Sequence, residues 1–459
     1  NTLHRPQQKR EVVRQLFSET FDQANLNQRQ RVYVLSSGDE LVQTDGKRKK
    51  YFYSPYWLDA TGDQQFIYHQ YVLAGDFDNN GLDEIAVFYD YPGTASTTPQ
   101  RVFVYKAKFV NGVPAYSLEL VPGSGTRSSW LDETIATNNF DEHQYALVGD
   151  FMGDTSDEIA IFRDYPDGRQ RVFIYRKNPT SNSFEKIVGS KADGSWLDET
   201  DGSIVMTNFD NHQYALVGNF DASGKDEIAV FYDDPNGTQS IFVFRKSASG
   251  NSLAQVNGTA ASGAWFSNKV SVHDFDAHQF SLAGNFDGVG GDEFAVFYDY
   301  LDGKQRIFVY KKNASLNRFD LTDGALPGSS WFNTTTSRTD FDRYEYGLAG
   351  NFDGSGEDDF TVFYDYPDSD PYQRAFVYEK SAGNYFSILN GNAGDERDSP
   401  SSPCNGPDCN AWFKQSRVVH NFDKHVFAIA AQLYDEDPDV TKNRDEIIIF
   451  YAANSTSVD

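Results

Sequence analysis

The first candidate chemistry in this sequence is metal binding by a short acidic turn. The segment from Asp76 to Glu84 places side-chain oxygens at its first, third, fifth and ninth positions, on Asp76, Asp78, Asn80 and Glu84, and a glycine at its sixth. Alternate oxygens converge on one point when such a loop curls, and glycine permits the sharp bend. Hard oxygen ligands suit calcium rather than zinc. We therefore predict a calcium site here, with the main-chain carbonyl of Leu82 as a further ligand.

Related acidic turns recur along the chain. The third copy carries Asn219, Asp221, Ser223 and Glu227, and the fifth carries Asn351, Asp353, Ser355 and Asp359. The alternative is a turn whose Asp and Asn side chains bond only their own backbone. Both interpretations stay open for these two copies. The bare turn is expected in the second and fourth, where Met152 and Val289 replace an oxygen ligand, and in the enlarged sixth.

A second set of residues could bind sugars. An Asp-Tyr step recurs at a loop expected on the face opposite the acidic turns, and its tyrosines are Tyr91, Tyr165, Tyr300 and Tyr366. Aromatic rings beside polar groups can stack on sugar rings. The structural alternative is that Asp-Tyr-Pro simply makes a good turn. The repeated tryptophans and the repeated Asp-x-His step are better explained by packing and by loop hydrogen bonds.

No constellation of catalytic residues is evident. The repeated histidines are too evenly spaced to form one asymmetric active site. No Ser-His-Asp, zinc or phosphate-loop motif stands out. We therefore expect that the chain is not an enzyme.

The elements that position these residues come from an internal repeat. An acidic pair recurs with intervals of 74, 69, 66, 66 and 87 residues between its second members. These pairs are Asp83-Glu84, Asp157-Glu158, Asp226-Glu227, Asp292-Glu293, Asp358-Asp359 and Asp445-Glu446. The six tryptophans follow the same scheme and are Trp57, Trp130, Trp196, Trp265, Trp331 and Trp412.

Each copy reads as four strands, and strands one and two are apolar on both sides. Such strands are typical of sheets sandwiched between neighbouring sheets. The last copy lacks a third strand, while Gln30-Arg31 near the start matches the beginning of strand three in other copies. We predict an all-β, six-bladed β-propeller of four-stranded antiparallel blades, with a closing blade shared by the two termini.

Two segments fall outside this pattern. Residues 1–27 form an N-terminal extension, in which Val12, Val13, Leu16 and Phe17 have helical spacing and predict a short amphipathic helix. Residues 28–459 form one propeller domain, with an insertion at about 380–411.

The acidic turns resemble the FG-GAP or VCBS repeats of integrin α-subunit heads and of some secreted propeller lectins. The resemblance rests on the six turns and, more loosely, on residues 28 to 455. It implies that a calcium ion occupies the turns on one face of the propeller.

Composition limits the partners of the protein. The formal net charge of −27 argues against nucleic acid, because phosphate binding needs clustered Lys and Arg. No apolar run reaches the ~20 residues that a membrane helix needs. The chain starts at Asn1 without a charged and then apolar leader, which indicates a processed start.

Cysteines and glycosylation motifs favour an extracellular location. Cys404 and Cys409 are close enough in a Gly- and Pro-rich segment to form a local disulfide. Asn-x-Ser/Thr motifs begin at Asn236, Asn257, Asn313, Asn333 and Asn454. We predict a secreted, calcium-binding glycoprotein that recognises glycans or glycoproteins multivalently. The alternative is a structural or adhesive subunit that self-associates or binds other extracellular proteins.

Overall fold

A computed structural model describes 18 segments of the chain. They are residues 29–35, 41–42, 48–49, 58–60, 69–90, 100–110, 113–133, 143–164, 170–198, 212–233, 238–268, 278–299, 304–334, 344–365, 372–389, 413–416, 425–433 and 444–453. These segments belong to two compact units. The first holds the described residues between 69 and 268 together with 311–320, and the second holds 29–60, 278–310 and 321–453.

The chain is a β-propeller, and five of its sheets are complete blades. In each blade strands one to four follow each other in order, and a short fifth strand pairs with strand three. The strands of the first blade are His69–Gly75, Glu84–Asp90, Gln100–Val110, Val113–Val121 and Leu131–Glu133. Those of the second are His143–Gly149, Glu158–Asp164, Gln170–Lys177, Phe184–Ile187 and Leu197–Asp198. Those of the third are His212–Gly218, Glu227–Asp233, Gln239–Lys246, Leu253–Val256 and Phe266–Asn268.

The fourth and fifth blades repeat this plan. The fourth has strands His278–Gly284, Glu293–Asp299, Gln305–Lys312, Phe319–Leu321 and Phe332–Thr334. The fifth has strands Tyr344–Gly350, Asp359–Asp365, Tyr372–Ser381, Tyr385–Leu389 and Phe413–Ser416. Paired strands run antiparallel in these blades, as where Ile161 lies opposite Phe173.

The two ends of the chain share one further sheet. Its strands, in spatial order, are His425–Ala431, Glu446–Ala453, Arg29–Leu35 and Leu58–Ala60. Arg31 lies opposite Tyr451 and Leu35 opposite Ile447, so the predicted pairing of residues 31–35 with 446–451 is confirmed. A separate two-stranded hairpin joins Leu41–Val42 to Arg48–Lys49.

The prediction of six equivalent four-stranded blades is wrong. The structure has five blades, and each contains a fifth strand of only 2–4 residues, which is too short to produce a recognisable sequence pattern. The sheet made by the chain ends is not a sixth copy. Leu58–Ala60 pairs with the start of strand Arg29–Leu35, as strand five does in the blades, and the described residues contain no counterpart of strand four in this sheet.

The predicted N-terminal helix also has no support. Residues 1–27 lie outside the described segments, and those segments contain no α-helix. Their helical geometry is limited to the 3-10 turns Thr126–Ser128 and Pro327–Ser329. None of the helical segments in the described part of the chain could cross a membrane.

Apolar residues on both faces of strands two and three explain the sheets. Ile85, Ala86, Val87 and Phe88 follow one another and are each at most 1 % exposed. A strand that is buried on both faces needs a packed sheet on either side. Within each unit the hydrophobic clusters accordingly combine residues of successive sheets, as between the first and second blades and between the fourth and fifth.

The repeated tryptophan joins these sheets. Trp196 is fully buried, its backbone N–H donates to Val172 O at 2.8 Å, and its Nε1–H donates to Ile187 O at 2.8 Å. Its carbonyl accepts the N–H of Leu253, which begins strand four of the next blade, at 2.9 Å. Trp130, Trp265 and Trp331 make the equivalent bonds. The packing interpretation of the tryptophans is confirmed for these four, and Trp57 and Trp412 lie outside the described residues.

Replacing one of these side chains should therefore destabilise the fold strongly. Trp196→Ala should lower the free energy of unfolding by about 3–5 kcal/mol, because it leaves a cavity between two sheets. Trp196→Phe should cost about 1–3 kcal/mol, because it leaves the buried Ile187 carbonyl without its donor. Urea unfolding measures both, with Tyr385→Ala as a control at a ring that is 37 % exposed. Equal losses in Trp196→Ala and Tyr385→Ala would contradict the assigned role.

Candidate metal centre

The acidic turns link strand one to strand two in every blade, and their first function is to join neighbouring blades. Asp157 Oδ2 accepts the backbone N–H of Asp76, from the preceding turn, at 2.9 Å. The backbone N–H of Asp157 donates to Asp76 O at 3.1 Å. The first acid of each pair thus satisfies both backbone groups of the preceding turn's first residue. The same pair of hydrogen bonds joins Asp150 to Asp226, Asn285 to Asp358 and Asn351 to Asp445.

A glycine before each turn makes this contact sterically feasible. A Cβ added to Gly75 would lie 2.8 Å from Asp157 Oδ2 and 2.5 Å from a Val148 methyl carbon. Gly149, Gly284 and Gly350 would meet the corresponding aspartate at 2.7–2.8 Å. Any larger residue would push the carboxylate away from its hydrogen bond, which explains the recurring Gly-Asp/Asn step.

The second acid of each pair shapes its own turn. Glu84 is 2 % exposed, and its Oε2 accepts the N–H groups of Phe77 at 3.1 Å and Asp78 at 3.2 Å. Glu158, Glu227, Glu293 and Asp359 accept the equivalent N–H in their own turns, and Glu446 accepts the N–H of Leu433. The predicted metal ligands include the second acid but neither of these structural roles, for which the recurrence of both acids in every copy is the signal in the sequence.

The first turn brings its predicted ligands together. One carboxylate oxygen from each of Asp76, Asp78 and Glu84 lies within 4.8 Å of the others. Asn80 lies beside them: its Nδ2 donates to Glu84 Oε1 at 3.5 Å, and its Oδ1 accepts the N–H of Leu82 at 2.9 Å. Within the described part of the chain, this is the place where three acidic ligand atoms converge in this way.

The turn is also held by hydrogen bonds from its backbone N–H groups to the side chain of Asp76. Asp76 Oδ1 accepts the N–H of Asn80 at 2.9 Å, and Asp76 Oδ2 accepts that of Gly81 at 2.8 Å. Gly81 has φ +85°, a conformation that suits glycine. The turn therefore has the side-chain-to-backbone bonds of the bare-turn alternative as well as the converging acids of a metal site.

Electrostatics favours a cation at this point. Burial, and then the negative charges of Asp78 and Asp76, raise the pKa of Glu84 to about 8. A divalent cation would offset both effects, because it neutralises the acids and replaces their lost hydration. The all-oxygen donor set fits calcium.

The other predicted turns keep the fold of the first with different charges. In the third, Asn219 Oδ1 accepts the N–H of Gly224 at 3.2 Å and Asp221 Oδ1 accepts that of Ser223 at 2.9 Å. The fifth repeats this with Asn351 and Gly356 at 3.2 Å and with Asp353 and Ser355 at 2.7 Å. Burial, then the charge of Asp353 and, more weakly, that of Glu379 raise the pKa of Asp359 to about 9.

The second turn retains a buried carboxylate despite lacking an oxygen at Met152. Glu158 is fully buried and its Oε1 has no hydrogen-bond partner. Burial, and then the charge of Asp154, raise the pKa of Glu158 to about 8. A raised pKa of the second acid is thus a property of the turn itself and does not depend on a complete ligand set.

Several predicted site residues lie outside the described segments. They are Tyr91, Tyr165, Tyr300, Tyr366, Cys404, Cys409, Asn236 and Asn454. The remaining glycosylation motifs lie in three environments. Asn257 is exposed, Asn313 is half-buried with its Nδ2 donating to Asp320 at 2.8 Å, and Asn333 lies in strand five of the fourth blade.

Comparison with known proteins supports the fold alone. No protein-family model matches the chain and no curated protein matches it, so membership of the FG-GAP or VCBS repeats is not confirmed. Among solved structures, AofleA from Arthrobotrys oligospora is 10 % identical with a TM-score of 0.37, over 80 % of this chain and 87 % of that one. A levansucrase mutant from B. megaterium is 11 % identical with a TM-score of 0.37, over 84 % and 95 %. Levansucrase from Bacillus subtilis, in complex with oligosaccharides, is 9 % identical with a TM-score of 0.32, over 81 % and 89 %.

The expectation that the chain is not an enzyme requires correction. One fold can host enzymes and binding proteins alike, so the lack of a recognised catalytic motif does not exclude catalysis. Residues that form an active site come together only in the tertiary structure, and short motifs need not reveal them. These likenesses assign no activity to this chain.

The acid that joins the first two blades gives a pH-dependent prediction. Burial raises the pKa of Asp157 to about 6, against an unfolded value of about 3.9. The folded chain therefore binds this proton more tightly, and the resulting stability is lost as pH rises from about 4 to about 6. Asp157→Asn keeps an acceptor but cannot ionise, so it should remove on the order of 3 kcal/mol of this pH dependence.

Urea unfolding of metal-free protein between pH 4 and pH 7 measures this effect. Asp320→Asn is the control, because pairing with Arg318 lowers the pKa of that exposed carboxyl and gives a pH dependence of opposite sign. An unchanged slope in Asp157→Asn between pH 4 and pH 6 would contradict the assignment.

Proposed function

We propose that the protein is a secreted, calcium-binding β-propeller that uses its repeated blades for multivalent extracellular recognition, with glycans as the ligand class. The observation that carries the calcium assignment is the convergence of Asp76, Asp78 and Glu84 within 4.8 Å in the first turn. Burial and the negative charges of Asp78 and Asp76 raise the pKa of Glu84, and a bound cation would offset these charges. The exposed glycosylation motif at Asn257 is compatible with secretion.

The glycan assignment rests on tyrosines at equivalent places in four blades. Strand two ends at Asp90, Asp164, Asp299 and Asp365, and a tyrosine follows directly in each case. The four described tryptophans are buried in packing and are not available for stacking on sugars, so the tyrosines are the candidates that recur from blade to blade. Equivalent weak sites on one protein multiply their affinities.

A structural or adhesive role is the second candidate, and one feature of the first blade favours it. Strands three and four of that blade have 11 and 9 residues, against 8 and 4 in the second blade. The longer hairpin carries Phe109, 40 % exposed, and Val110, 53 % exposed. An exposed apolar tip of this kind is typical of a contact with another protein.

Calcium should stabilise the protein through the first turn. Binding to the folded state alone adds about 2.7 kcal/mol when calcium is roughly 100-fold above its dissociation constant, so the melting temperature should rise on addition of calcium. Asp78→Asn removes a charged ligand and should reduce this rise, whereas Asp320→Asn, at a distant exposed acid, should retain it. Differential scanning calorimetry with calcium and with chelator tests this, and equal calcium responses in wild type and Asp78→Asn would contradict the proposed site.

Glycan recognition should depend on the tyrosines that follow strand two. Tyr366→Ala should weaken binding to any glycan that the wild type selects on an array, by about tenfold per lost stacking contact of ~1.4 kcal/mol. Tyr385→Ala removes an exposed tyrosine on an outer hairpin and should leave binding unchanged. If the wild type binds no glycan but self-associates, and Phe109→Ser abolishes that association, the second candidate replaces the first.

A further inference from the structure

The third acidic turn contains a positive charge supplied by its own blade. Arg245, near the end of strand three, places Nη1 3.1 Å from Oδ2 of Asp221. Asp221 is the acid at the third position of this turn, equivalent to Asp78 in the first. A guanidinium held on this oxygen competes with any cation that needs the same ligand.

The neighbouring strand explains why this happens in the third blade. Lys106 and Arg176 occupy the same place in the first and second blades, and strand four supplies Glu119 opposite Lys106 and Glu185 opposite Arg176. The side chains pair across the strands, with Lys106 Nζ 3.8 Å from Glu119 Oε1 and Arg176 Nε 3.1 Å from Glu185 Oε1. These two cations are thereby directed away from their acidic turns.

Strand four of the third blade offers no such partner. The residue opposite Arg245 is Ala254, which is exposed and carries no charge. The guanidinium therefore reaches back to the turn, where the carboxylate of Asp221 is 15 % exposed. In these three blades the strand-three cation pairs with strand four where an acid lies opposite it, and contacts the turn where alanine does.

The third turn otherwise retains a site for a ligand. Glu227 is 1 % exposed, its Oε2 accepts the N–H of Asp221 at 3.2 Å, and its Oε1 has no hydrogen-bond partner. The polar side chains of Asn219, Asp221 and Ser223 surround the same turn. This turn differs from the first in the bound guanidinium and in Asn219, an amide at the position where the first turn has the carboxylate of Asp76.

We propose that Arg245 is a tethered cation that closes the third turn to divalent ions, and that Ala254 directs it there. The proposal rests on the proposed function in taking calcium as the ion of these turns. It makes the number of ions per chain depend on residues of strands three and four, outside the turns themselves.

The experiment counts calcium ions per chain by isothermal titration calorimetry. Arg245→Gln removes the tethered charge, and Ala254→Glu supplies the missing partner on strand four. Each variant should bind one more calcium ion than the wild type, and adding Asp221→Asn to Arg245→Gln should abolish that extra ion. Arg176→Gln is the matched control, because its guanidinium pairs with Glu185 and its loss should add no ion.

The outcomes separate this proposal from the first-turn site. If both Arg245→Gln and Ala254→Glu bind the same number of calcium ions as the wild type, the tethered-cation proposal is overturned. It is also overturned if Arg176→Gln gains as many ions as Arg245→Gln, because that would indicate a general effect of net charge. A calcium response unaffected by Asp78→Asn, together with a gain in Arg245→Gln, removes the first-turn site and retains this proposal. Each variant is titrated only after its melting curve has shown a folded protein. Because the side chain of Arg245 is 50 % exposed, its replacement should leave the fold intact.

Discussion

The structure depends on one interaction, which recurs at four of the acidic pairs: two hydrogen bonds join the first acid of the pair to the first residue of the preceding turn. Asp157 and Asp76 show it in the first unit, and Asp445 and Asn351 in the second. It satisfies two backbone groups that would otherwise be buried without partners. Because it requires close approach, it also fixes glycine at the end of strand one.

This interaction leaves the side chain at the first position of each turn available for other uses. Asp76 uses its carboxylate to hold the turn, in company with Asp78 and Glu84. The backbone connection between blades is therefore kept constant while the charge of each turn varies. Met152 removes a ligand from the second turn, and Arg245 neutralises one in the third. A repeated fold can thus carry turns that differ in charge while the connection between blades is unchanged.

The buried tryptophans limit which aromatic residues could contact a ligand. Trp130, Trp196, Trp265 and Trp331 are committed to contacts between strands of neighbouring blades, and their rings are at most 2 % exposed. Recognition by aromatic residues must then come from loops, where packing does not dictate the side chain. This restriction favours the tyrosines after strand two as contacts, and the extended hairpin of the first blade as the site of a protein contact.

The sequence by itself determined the all-β propeller, the places of strands one to three and the pairing of the two ends, because runs of apolar residues and an internal repeat can be recognised from the order of residues alone. It also located the first acidic turn, since the spacing of Asp76, Asp78 and Glu84 defines the loop that brings them together. It could not determine the fifth strand of each blade, whose 2–4 residues are held by the register of strand three. Nor could it show that Asp157 reaches the preceding turn, or that Arg245 contacts Asp221 while Ala254 lies opposite it on strand four. These contacts join residues that are distant in sequence, so only the tertiary structure decided them.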